Sequence, residues 1–399
     1  MAVNRLNVGA TNQLLAKASS GQSTNILELQ NTAGVTVAGV DASGNPVGGL
    51  ARTPAFKNLI INGDMQVNQR GTSVTGVTAS GYRTADRWRL ANNSLGTWTQ
   101  TTENDAPTGS GFRKSIKVLC TTADASPAAA DVLFLSQRFE GQNLQQVLKG
   151  TSSAKELTLS FWVKSNVTGT YIIEMQDADN SRSVSKSYTI SASATWEKKT
   201  ITFPADTTGA LDNDNDASLE LDFFLSSGSD RTSGTLSTSW ASYVAANTAV
   251  GQVNLAASTN NYWQVTGVQL EVGNTATEFE FLPADVELAQ CQRYYYKLAE
   301  GTGHFIGIGT YFQSTGLYVG VPFPVTMRGT PALSVVSGTN YYVFDRNGGG
   351  DFFDDFTIYQ GKTTISGMSN TTQVSGTAGH AGMVSTSNAA AFVAFSSEL

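Results

Sequence analysis

Apolar and polar side chains alternate along much of this chain, and a period of two marks a strand with one buried and one solvated face. In the segment 157–164, LTLSFWVK, Leu157, Leu159, Phe161 and Val163 line one face while Thr158, Ser160, Trp162 and Lys164 line the other. The segment 170–176 repeats the pattern, with Tyr171, Ile173 and Met175 against Ile172, Glu174 and Gln176. Further strands are predicted over 115–120, 133–139, 185–190, 198–203, 218–225 and 263–272. Strands at this spacing, separated by polar turns, describe an antiparallel sandwich of jelly-roll type over residues 51–282.

The flanking segments complete an all-β plan. Within residues 1–50, the runs 26–30 and 35–40 are strand-like, joined by the Thr32-Ala33-Gly34 turn, and a second turn follows at 41–45. A lone hairpin buries too little apolar surface to offset its ordering entropy. A parallel homotrimer with Leu27, Leu29, Val35 and Val37 facing a shared axis would supply the missing core, and a flexible arm is the alternative. Gly48-Gly49 and Pro54 form a hinge before the body. The stretch 58–90 is expected to hold two short strands, around 59–67 and 87–90, with Asn62-Gly63-Asp64 setting a turn and Trp88 anchoring the core. Residues 283–298 carry the best helical signal, with Pro283 at the first turn, acidic residues next, and Leu288, Cys291 and Tyr295 on one face. Short apolar runs at 304–308, 316–321, 332–336, 341–344, 356–360 and 390–395 suit a smaller C-terminal β-sandwich over 299–399.

Composition narrows the function classes. Only 14% of the 399 residues are charged, against 40% hydrophobic and 39 glycines, so the surface must be largely Ser, Thr, Asn, Gln and Asp. A net charge of −7 and the lack of any Lys/Arg run argue against a nucleic-acid partner. No apolar run approaches the roughly 20 residues that span a bilayer, and the N-terminus lacks a signal-peptide core, so neither membrane insertion nor signal-directed export is expected. The two cysteines, Cys120 and Cys291, read as separate buried thiols. The two histidines, His304 and His380, stand alone, which leaves little from which to build a zinc site or a Cys-His pair.

Three stretches taken together resemble a known kind of protein. NLIINGDMQVNQRGTS with YRTADRWRL, then YWQVTGVQLEVGNTATEFEFLPADVELAQCQRYYYK, then VPFPVTMRGTPALSV resemble a module recurrent in bacteriophage virion appendages, especially tail-fibre proteins. ILELQNTAGVTVAGVDASGN is similar to the linking segments of phage fibre shafts, and the body between Asn58 and Glu280 resembles the jelly roll of carbohydrate-binding modules through LSFWVK and WQVTGVQLE. The resemblance implies a structural and adhesive virion protein, commonly a homotrimer, made in the host cytoplasm and carried on the phage tail or capsid surface. Residues 1–50 would attach it to other virion proteins, and the outer domains would bind a host surface glycan or protein. The chain departs from long tail fibres in showing neither an extended shaft nor a large N-terminal attachment domain. That keeps a head fibre or capsid-decorating protein, without receptor binding, as the alternative.

Carbohydrate recognition needs flat aromatic faces for sugar C–H groups and planar polar side chains for hydroxyls. Trp162, on the polar face of its strand, is the candidate platform, with Glu174 and Gln176 on a neighbouring strand as its hydrogen-bonding partners; the alternative is that a loop or another subunit covers Trp162. Trp88, Trp98, Trp196 and Trp263 read as core or interface, and Trp240 as a loop-tip residue. Asp212, Asp214 and Asp216 alternate as hard oxygen ligands do in a calcium loop, but Ala217 and Phe223 stand where an EF-hand needs Gly and Glu. A looser calcium site competes there with a solvated acidic turn. Asp351, Asp354 and Asp355 beside the glycine run at 348–350 read as a mobile loop. No nucleophile elbow or phosphate loop is present, and no motif marks a catalytic carboxylate pair, so the chain is expected to bind without turnover.

Overall fold

The computed structural model describes residues 56–399 and, nearer the N-terminus, the strands Leu27–Gln30, Thr36–Val40 and Pro46–Gly48. These three strands pair antiparallel in chain order, so the expected hairpin carries a third strand. That strand begins at Pro46, where a missing N–H is tolerated at a strand start. Val35 lies outside the described residues, as do the side chains of Leu27, Leu29 and Val37, to which the trimeric shaft is assigned.

Residues Asn58–Leu399 form a compact unit of antiparallel sheets and few helices. Its larger sandwich pairs two sheets. The six-stranded sheet runs in the order Glu197–Phe203, Leu157–Ser165, Tyr262–Val272, Ser115–Thr122, Thr97–Glu103, Ser73–Val77. The seven-stranded sheet runs in the order Ala241–Ser242, Arg182–Ile190, Gly169–Asp177, Ala217–Ser227, Val132–Glu140, Arg89–Asn93, Gly81–Tyr82. The inward faces are those the alternation predicts. Phe161 from the first sheet meets Tyr188 and Phe223 from the second edge-on, at centroid distances of 5.2 and 5.3 Å, and Trp263 adds a 5.6 Å contact with Phe223. Each such ring, fully withdrawn from water, contributes about 1.5–3 kcal/mol.

The stretch 58–90 differs from expectation in its first half. No strand forms over 59–67, because Asn62 and Met65 both take left-handed backbone angles, φ 59° and 62°. The turn is held from inside. Buried Asn62 donates to the Val67 and Asp86 carbonyls (2.8 and 3.0 Å) and accepts from the Val67 N–H (3.0 Å), while the indole of Trp88 donates to the Asn62 carbonyl (3.0 Å). Asn62-Gly63-Asp64 is thus scaffold, with fully buried Trp88 as its anchor. Gly63 is required by close approach: its carbonyl accepts from Val268 N–H at 2.9 Å, and a Cβ there would lie 2.1 Å from the Val268 oxygen. Gly63→Ala is therefore expected to cost about 1–3 kcal/mol through overpacking against backbone, read as a lowered midpoint in urea denaturation; an unchanged midpoint would refute the contact.

The linking helix spans Ala284–Gln292, shorter than predicted. Beyond it the chain enters the strand Tyr295–Glu300, since Tyr294 and Tyr295 are drawn under guanidinium groups: Arg87 Cζ lies 3.5 Å from the Tyr294 ring centre and Arg70 Cζ 3.5 Å from that of Tyr295. The helix stops before Tyr295 can join its face, so Cys291 is buried while Leu288 remains 37% exposed.

The C-terminal sandwich pairs a three-stranded sheet, Tyr295–Glu300, Phe392–Ser396, Ala332–Val335, with a seven-stranded one. The latter runs Gly349–Phe353, Tyr342–Arg346, Ala381–Thr386, Phe305–Gln313, Gly316–Pro322, Ile365–Asn370, Thr357–Gly361. The glycine run expected as a loop is instead a hairpin arm turned by Asn347-Gly348. Asp351 fixes it, accepting from Arg346 (2.7 and 3.1 Å) and from Tyr311 Oη (2.5 Å). Buried charge then ties the two sandwiches together. Glu140 of the larger one receives Arg293 at 2.7 and 2.6 Å and the Tyr294 hydroxyl. Near the C-terminus, Glu398 pairs with Arg87 and, at 3.0 Å, with Arg70.

Candidate functional site

The outer face of the larger sandwich's seven-stranded sheet carries an unusual set of polar side chains. Register places them in two rows across the strands. One runs Ser185, Glu174, Asp222, Ser136, Arg89, and the next runs Ser183, Gln176, Glu220, Arg138. A third row is mostly apolar: Ser187 pairs with Ile172 and Phe224 with Phe134, and Ile172 and Phe224 share one buried cluster. Alternation sends these residues outward because Tyr171, Ile173, Met175, Leu219, Leu221 and Phe223 occupy the core. The segment after Ala217–Ser227 folds back over the apolar row. There Ala249 packs on Ile172 and Phe224, and the Ser185 hydroxyl donates to the Thr248 carbonyl at 2.9 Å. From that segment Arg231 donates to the Tyr243 hydroxyl at 2.8 Å, its Cζ 5.9 Å from the Phe224 ring centre.

The polar rows are incompletely satisfied. Ser136, Glu174 and Asp222 are 0%, 1% and 3% exposed, yet Ser136 Oγ, Glu174 Oε1 and Asp222 Oδ1 find no hydrogen-bond partner within the protein, nor does Glu220 Oε1. Polar atoms withdrawn from water in this way are rare in folded proteins and costly. Burial pushes the Glu174 carboxyl up to about 7, against a Ser183 hydrogen bond and the charge of Arg231. Burial likewise raises Asp222, helped by the charges of Glu220 and Glu174. Half-exposed Arg138 holds Glu220 at 2.9 Å, and Gln176 sits partly exposed beside it. The face therefore gathers carboxyl, amide, guanidinium and hydroxyl groups beside Phe224 and Tyr243, with Glu174, Asp222 and Ser136 buried and Gln176 and Arg138 partly exposed.

Trp162 is elsewhere. Its strand belongs to the six-stranded sheet, where it points outward between Lys198 and Thr266, so the sandwich thickness separates it from Glu174 and Gln176. The expected neighbouring strand is in fact the opposing layer, because the connection 166–168 crosses between sheets. The chain itself covers much of the face beside half-buried Trp162. Gln269 Oε1 accepts from Glu280 N–H and Glu271 Oε1 from Thr277 N–H, at 2.9 and 2.8 Å, and Phe112, Phe279 and Phe281 cluster there at 4.9–5.2 Å. Trp88, Trp98 and Trp263 are core, and Trp196 donates to Asp105 at 3.2 Å. Trp240 is not a free loop tip: it is partly buried against the main core and donates to the Pro204 carbonyl at 2.8 Å.

Asp212, Asp214 and Asp216 are exposed and do not converge. The Asp212 N–H donates to Asp179 at 2.9 Å, the Asp214 carbonyl accepts from Gln142 at 2.8 Å, and Asp216 pairs with Arg328 at 3.2 Å. Among the described residues, no group of three or more His, Cys, Asp or Glu is placed to hold a metal ion. Cys120 and Cys291 are free and buried.

Glu174 and Gln176, singled out from the sequence, share this face with Ser136, Arg138, Glu220 and Asp222, which the sequence reading does not single out. Their signal was present in the polar positions of SLELDFF and FLSQRF, each facing away from core residues. Only the strand order joins them.

No family model matches the chain, and no curated protein matches it. Among solved structures it is similar, over about half its length and at low TM-scores, to a phage tailspike domain and to carbohydrate-binding modules. The enzymatically active domain of bacteriophage CBA120 tailspike protein 4 shares 14% identity at TM-score 0.29, over 56% of this chain and only 22% of the tailspike chain. TmCBM61 in complex with β-1,4-galactotriose shares 9% identity at TM-score 0.28, over 54% and 98%. The family 11 carbohydrate-binding module of Clostridium thermocellum Lic26A-Cel5E shares 11% identity at TM-score 0.26, over 51% and 98%.

Proposed function

We propose that this chain is a non-enzymatic, glycan-binding structural protein of a bacteriophage virion, of tail-fibre type, and that its sugar site is the polar outer face around Glu174, Gln176, Glu220 and Asp222. The observation that carries the site is the cluster of buried polar atoms without protein partners, Ser136 Oγ, Glu174 Oε1, Glu220 Oε1 and Asp222 Oδ1. A sugar presents paired hydroxyls that donate and accept at once, so vicinal hydroxyls would bond the partly exposed Gln176 amide and Arg138 guanidinium, with the buried carboxyls beneath them as the polar support. The virion assignment rests on the sequence resemblance given above.

Binding of the purified chain to host surface polysaccharide, measured by titration calorimetry, tests the site. Gln176→Ala and Arg138→Ala, both at half-exposed positions, are expected to weaken binding at least tenfold, about 1.4 kcal/mol, with little change in melting temperature. Trp162→Ala, on the opposite layer, should leave affinity unchanged. Loss of binding in Trp162→Ala alone would move the site to the other sheet. Release of reducing sugar would overturn the non-enzymatic reading. Antibody labelling that places the chain on the capsid, with no adsorption of purified chain to cells, would favour a decorating protein.

A further inference from the structure

The outward face of the C-terminal seven-stranded sheet is apolar and open. Among the described residues, nine of the fourteen exposed large hydrophobic side chains lie between Phe305 and Met383. Eight of these, all but Val336, lie in strands of that sheet, among them Ile308 (61% exposed), Phe312 (79%), Phe352 (53%), Tyr359 (59%), Ile365 (46%) and Met383 (54%). Cross-strand pairing sets Ile308 against Met383, and ring contacts run from Phe312 to Tyr318 (5.8 Å) and on to Tyr359 (4.9 Å). Glycines at the paired positions Gly320 and Gly367 leave a hollow of 370 Å³ between these rings, beside the projecting Phe312.

We infer that this face packs against the same face of a second copy of the chain. Side chains of this size expose on the order of 200 Å² each when free, so these six at their fractions present roughly 700 Å² of surface. That exceeds the 300–600 Å² of the largest patch on an ordinary monomer and approaches the roughly 800 Å² per partner of a stable interface. The composition agrees, with aromatic residues and Met at the centre; the register sets Asp345 beside Met383, while Arg346 alternates to the other face and holds Asp351. A projecting ring beside a glycine-floored hollow is self-complementary: rotation of one copy brings each Phe312 towards its partner's hollow. A sugar is the poorer occupant because the hollow has few polar groups to fix hydroxyls.

The test uses the full chain with Thr310→Cys, an exposed position at the centre of the face whose thiol is distinguishable from buried Cys120 and Cys291. Sedimentation gives the mass, and a maleimide reports access to position 310, with Ser153→Cys on an exposed turn as the reference. The expected result is a mass above the 42.2 kDa monomer, with the thiol introduced by Thr310→Cys labelled at least tenfold more slowly than that introduced by Ser153→Cys, and the difference removed by adding Phe312→Asp. A monomeric mass overturns the inference. So does an oligomer in which the two introduced thiols label equally fast, since the copies would then be joined elsewhere.

Discussion

Glu398→Ala is expected to destabilise the unit Asn58–Leu399 by about 3–5 kcal/mol, because it strands a buried positive charge. The Arg87 side chain is 1% exposed and that of Glu398 7%, and Glu398 also receives Arg70 at 3.0 Å. Without the carboxylate, Arg87 keeps only the Arg138 carbonyl at 2.7 Å and the Tyr294 ring, while its Nε already lacks a partner. The effect should reach both sandwiches. Glu398 follows the strand Phe392–Ser396 of the smaller one, and Arg328 holds that tail through the Ser397 carbonyl at 2.8 Å while contacting Asn215 of the larger at 2.9 Å. Glu398→Gln separates charge from shape, since its amide oxygen can still accept from Arg87, and should cost clearly less. Urea denaturation of the three proteins measures this. A loss below about 1 kcal/mol in Glu398→Ala would show that the pair is no better than a solvated surface bridge.

This network also marks the limit of what the sequence reveals. The strands 157–164 and 170–176 are legible because a two-residue period with bulky apolar members admits one burial pattern, and the structure buries Leu157, Phe161, Tyr171 and Met175 as that pattern requires. Which sheet each strand joins is invisible locally. Trp162 and Glu174 are close in the chain, yet they face outward on opposite layers, so a site assembled from sequence neighbours mixed two surfaces. Local conformation misled where side-chain bonds override pattern: LIINGDMQV alternates plausibly, but the internal hydrogen bonds of Asn62 favour left-handed φ over extension. The predicted helix is longer than the observed one because Tyr295 fits a helical face with Leu288 and Cys291, whereas the partners of Tyr294 and Tyr295, Arg87 and Arg70, lie far earlier in the chain.

Glu174→Gln should change the pH dependence of stability by about 3 kcal/mol. In the unfolded chain this carboxyl titrates near its ordinary value of 4.5, and in the folded chain burial raises it to about 7. The folded state therefore holds a proton that the unfolded state has released between these values. Stability from this group is fully present below pH 4.5 and is lost as pH rises through 7, at about 1.4 kcal/mol per pH unit across the interval. Asp86 and Glu287, also raised by burial to about 7, act in the same direction. At Asp105, Glu140, Asp206 and Asp351 burial opposes ionisation but is outweighed by hydrogen-bonding and charged partners, which hold these carboxyls low; they lose stabilisation as pH falls. Wild-type curves alone cannot isolate one group, but their difference from the variant can. Glu174→Gln cannot ionise, so its stability relative to wild type should climb from about pH 5 to about pH 8 and then level off. It should climb slightly further because the neutral amide no longer opposes ionisation of Asp222, whose carboxyl Glu174 helps to raise. Parallel stability curves for the two proteins would mean that solvent reaches Glu174 freely, and the same result would remove the reason for treating this face as a set of polar groups awaiting a ligand.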